Sequence, residues 1–342
     1  MSKKIMLVGL GVWLSSVSAL AYAMGGFLFG KSWRSDSISY HAPCWGENNK
    51  IYFIKKVTFA VESENPDLVT GGTYFIHDVK YFLCSMNYDG TEKKEIVEIF
   101  TKKARKMYKR KYKNHLEIGG LGLGKPYMDY CKATHKLVYN LEDTGIWTIN
   151  IDGTNERCIS SDGAHPSWSP DGKKIVYRMH IKKEKRRKDG FLEGYEDYDS
   201  LWVMDADGSN KNKILSEEVD IWITSPIWSP KGDLIAFTCK GWIWVMKPDG
   251  SERRRVIESP HLAGWTLEGK MLLVGGNRIV NLDGEVIDRP HYWGKYSLDG
   301  NFVLNEIDMI IYDSKNEKVL PRKEPFPVHE EHFVYKKPNN IW

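Results

Sequence analysis

Apolar residues in this chain come in short runs of three to six rather than at helical spacing: Ile51–Ile54, Tyr81–Met86, Leu137–Tyr139, Ile175–Tyr177, Ile235–Phe237, Met271–Val274 and Phe302–Leu304. Gly, Pro, Asp and Asn, the residues that close tight turns, stand in the segments between these runs, so the pattern predicts short strands joined by hairpins. From His165 the chain reads HPSWSPDGKKIVYRM, then a charged insertion, then LWVMDADGSNKNKIL up to Leu215. From Ser225 it reads SPIWSPKGDLIAF and then WIWVMKPDGSERRRVI up to Ile257. The same unit has been written twice. Pro170, Asp171 and Gly172 form one turn, and Asp207 with Gly208 forms a second, so each unit predicts four antiparallel strands, A to D.

Weaker copies flank these two. Downstream, WTLEG at Trp265–Gly269 and YSLDG at Tyr296–Gly300 stand where WSPDG stood. Upstream, Cys44 and Trp45 precede Ile51–Ile54, Lys80–Ile96 matches the second half of the unit, and a further copy runs from Tyr127 through Gly145 to Ile159. That makes six copies. One four-stranded sheet cannot bury both of its faces, whereas sheets stacked around an axis cover one another. The expected fold is therefore all-β, a six-bladed β-propeller over residues 38–320, with 321–342 as a C-terminal tail.

The units resemble the WD-like repeats of the TolB-like propeller family, which read close to PxWSPDGKKIAF followed by LWVMDADG. Pro166–Tyr177, Leu201–Gly208, Pro226–Phe237 and Ile243–Gly250 carry the resemblance. TolB itself has an α/β domain ahead of its propeller; here the first repeat is expected to start at residue 38. The motif specifies a fold, and a fold does not specify an activity.

The N-terminus adds a compartment. Lys3 and Lys4 precede an uncharged stretch from Ile5 to Gly30, with Ala21 and Ala23 flanking Tyr22. This reads as a signal peptide over 1–23 or, since the stretch reaches bilayer length at about 1.5 Å per residue, as a retained anchor over 5–30. Either places the body outside the cytoplasm, periplasmic or extracellular, and disfavours nucleic acid as a partner. With 49 basic and 45 acidic residues in 342, net charge singles out no partner. The 13 Trp and 18 Tyr suit aromatic strands. Five cysteines at 44, 84, 131, 158 and 239 leave at least one thiol unpaired in an oxidising compartment and read as small buried apolar groups.

In an up-and-down sheet the A–B and C–D turns share one end, and the B–C turns share the other with the D–A crossovers. The compact SPDG and DADG turns fall on the first end. The long pieces fall on the second: Ala60–Val79, Thr101–Lys125 and His180–Ser200. Loops gathered on one face of a rigid scaffold point to a site there. Lys102–Lys113 holds eight Lys or Arg in twelve residues, with Ala104, Met107, Tyr108 and Tyr112 at helical spacing. It reads as a basic amphipathic helix, with Lys102, Lys103, Arg105, Lys109 and Arg110 suited to anionic lipid headgroups, an acidic glycan or an acidic protein. The third insertion is split by sign, basic over Lys182–Lys188 and acidic over Asp189–Asp199, and predicts a self-paired hairpin arm carrying Phe191, Tyr195 and Tyr198.

Four histidines, His41, His165, His261 and His291, stand just before a predicted innermost strand on the same end. A ring of imidazoles there suits a divalent metal, and resembles the arrangement in oligogalacturonate lyases, which carry related repeats. The four are out of register: counted back from the aligned aromatic, His165 lies three residues away, His41 and His261 four, and His291 five. Histidines bonded to neighbouring carbonyls are the competing explanation. Other motifs fail on chemistry. GGLGLGKP at Gly119–Pro126 lacks the hydroxyl that a phosphate loop needs for magnesium. DADGSN at Asp205–Asn210 has Ser216, not Glu, where a calcium loop needs its closing ligand. No GxSxG elbow is present. The expectation is an exported, noncatalytic propeller that recognises a protein or a glycan through the insertion face, without a cofactor. The alternative is a metal-dependent enzyme of the oligogalacturonate lyase type.

Overall fold

A computed structural model describes residues 32–63, 73–104, 106, 126–141, 144–216, 223–288, 294–299, 301–305, 310–313 and 318–319. Among them lie six four-stranded sheets, each built from four strands consecutive in the chain. Sheet 1 comprises β1 (Ser32–Trp45), β2 (Lys50–Ser63), β3 (Thr73–Asn87) and β4 (Lys94–Ile99). Sheet 2 comprises β5 (Tyr127–Cys131), β6 (Lys136–Asn140), β7 (Ile146–Asn150) and β8 (Arg157–Ser160). Sheet 3 comprises β9 (Ala164–Trp168), β10 (Lys174–Arg186), β11 (Leu192–Asp205) and β12 (Asn212–Ser216). Sheet 4 comprises β13 (Ile223–Trp228), β14 (Ile235–Cys239), β15 (Trp242–Met246) and β16 (Arg254–Glu258). Sheet 5 comprises β17 (Leu262–Trp265), β18 (Met271–Val274), β19 (Arg278–Asn281) and β20 (Val286–Asp288). Sheet 6 comprises β21 (Lys295–Tyr296), β22 (Phe302–Asn305), β23 (Ile310–Asp313) and β24 (Lys318–Val319). Pairing within sheets 2 to 6 is antiparallel.

The repeated turns explain the repeated sheets. In the first hairpin of sheet 3, the Ser169 amide donates to the Lys174 carbonyl and Gly172 donates to the Ser169 carbonyl. The Ser169 hydroxyl donates to Asp171 and accepts from the Lys174 amide. Ser229 with Asp233 and Ser297 with Asp299 repeat this lock. In the second hairpin Asp207 accepts from the amide and hydroxyl of Ser209, and Asp152 with Thr154 and Asp249 with Ser251 do the same. These hydrogen bonds stabilise the charged carboxylate and lower the pKa of Asp152, Asp207 and Asp249. Gly208 has a left-handed φ of 92°. A Cβ there would lie 2.1 Å from the Ile159 carbonyl oxygen, because this turn packs directly on β8 of the preceding sheet.

Each sheet meets the next through apolar side chains and a few cross-sheet bonds. Tyr52 stacks on Tyr130 between sheets 1 and 2. Asp129 on β5 accepts from the Trp168 amide at 2.8 Å and the Ser167 hydroxyl at 3.0 Å on β9. Val176, Leu201, Ile223, Trp228 and Phe237 form one buried core between sheets 3 and 4. Val245, Leu262, Trp265 and Leu272 form another between sheets 4 and 5. β17 neighbours β21. Sheet 6 then meets sheet 1: the Trp45 indole donates to the Lys295 carbonyl at 2.8 Å, and Leu304 shares a core with Ile51 and Phe53. Full burial of such side chains contributes about 1.5–3 kcal/mol each.

By compactness the chain divides into two units: Met1–Ser39, Lys56–Tyr81 and His329–Trp342 in one, Tyr40–Lys55 and Phe82–Val328 in the other. In the smaller unit Lys56 lies over the Tyr81 ring and Lys80 over Phe59. In the stretch expected as a loop from Ala60 to Val79, the described residues are instead strand, since β2 runs to Ser63 and β3 starts at Thr73. Thr73, Tyr74, Phe75 and Ile76 are β-branched or aromatic, types that favour an extended strand over an irregular connection. The expected signal or anchor and the tail beyond residue 320 fall outside the described residues. No helix among the described residues is long and apolar enough to cross a membrane. Cys44, Cys84, Cys131 and Cys239 are buried, as expected from their apolar runs, and Cys158 is half-buried. Burial pushes the Cys84 thiol up to about 12.

Candidate recognition site

The charged insertion of sheet 3 is a hairpin arm. β10 and β11 pair continuously from Lys174 opposite Asp205 out to Lys185 opposite Gly194. This register sets Lys182 across from Asp197 and Lys183 across from Glu196, the opposite-sign pairing anticipated from the split in charge. At the tip the Arg187 amide donates to the Phe191 carbonyl at 2.8 Å and Gly190 donates back to Arg187 at 2.9 Å. The Arg187 side chain pairs with Glu193 at 3.1 Å and covers the Phe191 ring at 5.6 Å. Phe191 is nevertheless 64% exposed, the most exposed large apolar residue described. Tyr198 is half-buried opposite Ile181; the side chain of Tyr195 lies outside the described residues.

The arm is rooted in a buried carboxylate. Asp199 is 2% exposed and receives Arg178 at 2.9 Å, His180 Nδ1 at 2.9 Å and the Ile223 amide at 2.8 Å. The last bond ties the base of the arm to the first residue of sheet 4. Beside it stands His165, at a left-handed φ of 52° ahead of Pro166. Its amide donates to Asn140 Oδ1 at 3.0 Å, its ring lies 5.2 Å from Tyr127, and its Nδ1 is buried with no hydrogen-bond partner among the described residues. Burial first, then the charges of Arg178 and Lys295, lower its pKa to about 4 against the opposing pull of Asp199. The imidazole is therefore neutral at neutral pH.

Lys295 reaches this group from sheet 6. Its Nζ lies 3.4 Å from the Tyr127 hydroxyl and 4.9 Å from the ring centre. Lys295 also opposes the burial that raises the pKa of Asp129. Tyr127, His165, Arg178, Asp199 and Lys295 thus converge from sheets 2, 3 and 6, at the ends of strands that face the crossovers and the arm. Sequence reasoning found His165 alone of these. The one signal for Arg178 is that it places a charge at the end of an apolar run, IVY; Asp199 is read only as the last acid of the arm, separated from LWVM by Ser200.

The remaining expected residues are placed as follows. Lys102 and Lys103 are exposed in a helical turn whose Ala104 amide donates to Thr101 Oγ1 at 3.3 Å. Arg105, Lys109, Arg110 and His291 lie outside the described residues. His41 is half-buried one position before Ala42, which takes the left-handed place that His165 takes in sheet 3. His261 is exposed, and its carbonyl accepts from the Gly275 amide at 2.9 Å. Among the described residues no group of three or more His, Cys, Asp or Glu is arranged to hold a metal ion.

Repeated four-stranded sheets with serine-locked and aspartate-locked turns define an all-β repeat protein, and its repeats are TolB-like. Over 63 residues the chain is 49% identical to the Tol-Pal system protein TolB of Wolbachia sp. subsp. Drosophila simulans (strain wRi), a stretch covering 17% of this chain and 15% of the relative. It is 60% identical over 38 residues to the TolB of Wolbachia pipientis subsp. Culex pipiens (strain wPip), 10% of this chain and 9% of that one. The chain thus spans less than a sixth of the length of these relatives. No family model matches. Among solved structures, TolB from Acinetobacter baumannii aligns with a TM-score of 0.44 at 12% identity, over 83% of this chain and 78% of that one. An oligogalacturonate lyase in complex with manganese aligns with a TM-score of 0.42 at 12% identity, over 83% and 85%.

Proposed function

We propose that this chain is an exported, noncatalytic six-bladed β-propeller that recognises an envelope protein through the face bearing the D–A crossovers and the arm of sheet 3. Six sheets in chain order, each packed on the next and the sixth on the first, support the closed arrangement. The observation that carries the recognition role is the arm: a continuously paired hairpin that holds an exposed phenyl ring at its tip, flanked by both signs of charge. Aromatic anchors ringed by charge are the usual centre of a protein interface. At the arm's root, Lys295 beside the Tyr127 hydroxyl adds a cation and a phenol that a partner's acidic side chain fits. An acidic glycan on this same face is the competing ligand.

A photo-crosslinking side chain at position 191 of the full protein, expressed in its native envelope, tests the reading. A discrete adduct with one protein is expected from position 191 and not from position 249, on the opposite turns. Phe191→Ala is expected to weaken capture of that protein more than tenfold, the effect of removing a central anchor. Equal capture by the wild type and Phe191→Ala, or equal adducts from both positions, overturns the assignment.

A further inference from the structure

The outer edge of sheet 4 carries a stack of rings and guanidinium groups that the recognition face does not use. On β15, Trp242 and Trp244 alternate with the buried Ile243 and Val245, so both indoles lie on one face. Arg255 on β16 sits directly across from Trp244. Its guanidinium lies 5.3 Å from the Trp242 ring centre and 5.0 Å from that of Trp244, and Arg253 lies 5.2 Å from Trp244. The order along the edge is Trp242, Arg255, Trp244, Arg253. The ladder is anchored inward: Trp244 stacks on Phe237 and its indole donates to the Cys239 carbonyl at 3.3 Å. Arg254, between the two stacked arginines, turns the other way, to the Leu282 carbonyl and Asp283 on sheet 5.

We propose that this ladder is a binding site for a linear acidic polysaccharide. A guanidinium laid flat on an indole keeps its N–H donors in the plane of the group and aimed past the ring edge, the geometry that grips an oxyanion with two parallel bonds. Stacking also fixes the side chain in advance, so less entropy is lost on binding. Among the described residues Arg255 has no carboxylate partner, and both arginines are exposed. Arg255 on β16 and Arg253 just ahead of that strand lie 5.0 and 5.2 Å from the Trp244 ring centre, so the edge sets out a row of guanidinium groups suited to a chain of recurring sulfates or carboxylates. Lys213 over Trp202 at 6.0 Å repeats the pairing at the corresponding edge of sheet 3. A lipid surface fits less well. The rings carry cations beside them, the adjoining Val256 is buried, and the exposed large apolar residues lie on other elements.

The test uses the full chain, with heparin and alginate as sulfated and carboxylated probes and phosphatidylglycerol vesicles as the lipid arm. Arg253→Gln with Arg255→Gln is expected to weaken polysaccharide binding about tenfold and to lower the slope of log affinity against log salt by about two, one per lost contact. Arg253→Lys with Arg255→Lys, which keeps the charge but not the fork, is expected to lose most of that affinity as well. Trp242→Leu is expected to weaken binding about threefold with the charge unchanged. Phe191→Ala is expected to leave polysaccharide binding intact, which separates this site from the proposed recognition face. Wild-type binding by the double lysine variant reduces the ladder to diffuse charge and overturns the proposal. So does tighter, arginine-dependent binding to vesicles than to either polysaccharide. The arginines are exposed, so the lysine and glutamine variants decide the matter even if Trp242→Leu fails to fold.

Discussion

Replacing Asp199 by alanine tests how the arm is rooted. Its carboxylate accepts from Arg178, His180 and the Ile223 amide at 2.8–2.9 Å while 2% exposed. Alanine deprives the Arg178 side chain, 12% exposed, of this counter-charge and strands the Ile223 amide where water does not easily follow. Breaking a buried ion pair from one side costs about 3–5 kcal/mol, and an orphaned amide about 1–3 kcal/mol. The two losses share one carboxylate and do not add in full, so Asp199→Ala is expected to destabilise by about 4–5 kcal/mol. Asp199→Asn retains one acceptor oxygen for the amide or the guanidinium and is expected to cost about half as much. Urea unfolding followed by tryptophan fluorescence reads the difference at constant slope. A loss below about 1 kcal/mol for Asp199→Ala would mean that the arm is held by its strand pairing alone, and the account of its root would be wrong.

Two further outcomes follow from the same geometry. By NMR the His165 imidazole is expected to stay neutral down to a midpoint near pH 4; because the folded value lies below the ordinary 6.5, its contribution to stability is complete above about pH 6.5 and is lost as pH falls through 4. A midpoint near 6.5 would show the ring to be solvated. Gly208→Ala is expected to cost about 3 kcal/mol, since the new Cβ would meet the Ile159 carbonyl oxygen at 2.1 Å with φ at 92°. Gly190→Ala, at φ 86° with nothing within 4 Å, is expected to cost about 1 kcal/mol in thermal unfolding, and equal losses would refute the packing argument.

The elements were legible where chemistry is local. SPDG and DADG each contain a complete turn, with a hydroxyl or carboxylate to lock the backbone and a glycine for the left-handed position, so the strands on either side follow without tertiary information. The arm was legible because Lys182–Lys188 and Asp189–Asp199 are complementary only when folded back on each other. The mouth group was not. Lys295 meets Tyr127 only because sheet 6 returns to the start of the chain, and neither residue belongs to a motif. The offset among the histidines was legible by counting back from the aligned aromatic, and it puts Ala42 rather than His41 at the left-handed position that His165 takes in sheet 3. The Trp–Arg ladder was read only as part of the repeat, because RRRVI gives no sign that alternate arginines turn to opposite faces.

Asp199 links the two halves of the site, and the sign of its effect on His165 follows from the charges around that ring. Arg178 and Lys295 disfavour the imidazolium and Asp199 favours it, so removal of the carboxylate takes away the stabilising term and leaves both opposing ones. Asp199→Ala is therefore expected to move the His165 midpoint below its wild-type value near pH 4, whereas an arm variant that leaves Asp199 in place, such as Phe191→Ala, should leave it unchanged. The two measurements separate a carboxylate that serves only to pin the hairpin from one that also sets the charge at the mouth. An unchanged His165 midpoint in folded Asp199→Ala would show that this carboxylate does not set the charge at the ring, and the arm and the mouth would then have to be treated as independent surfaces.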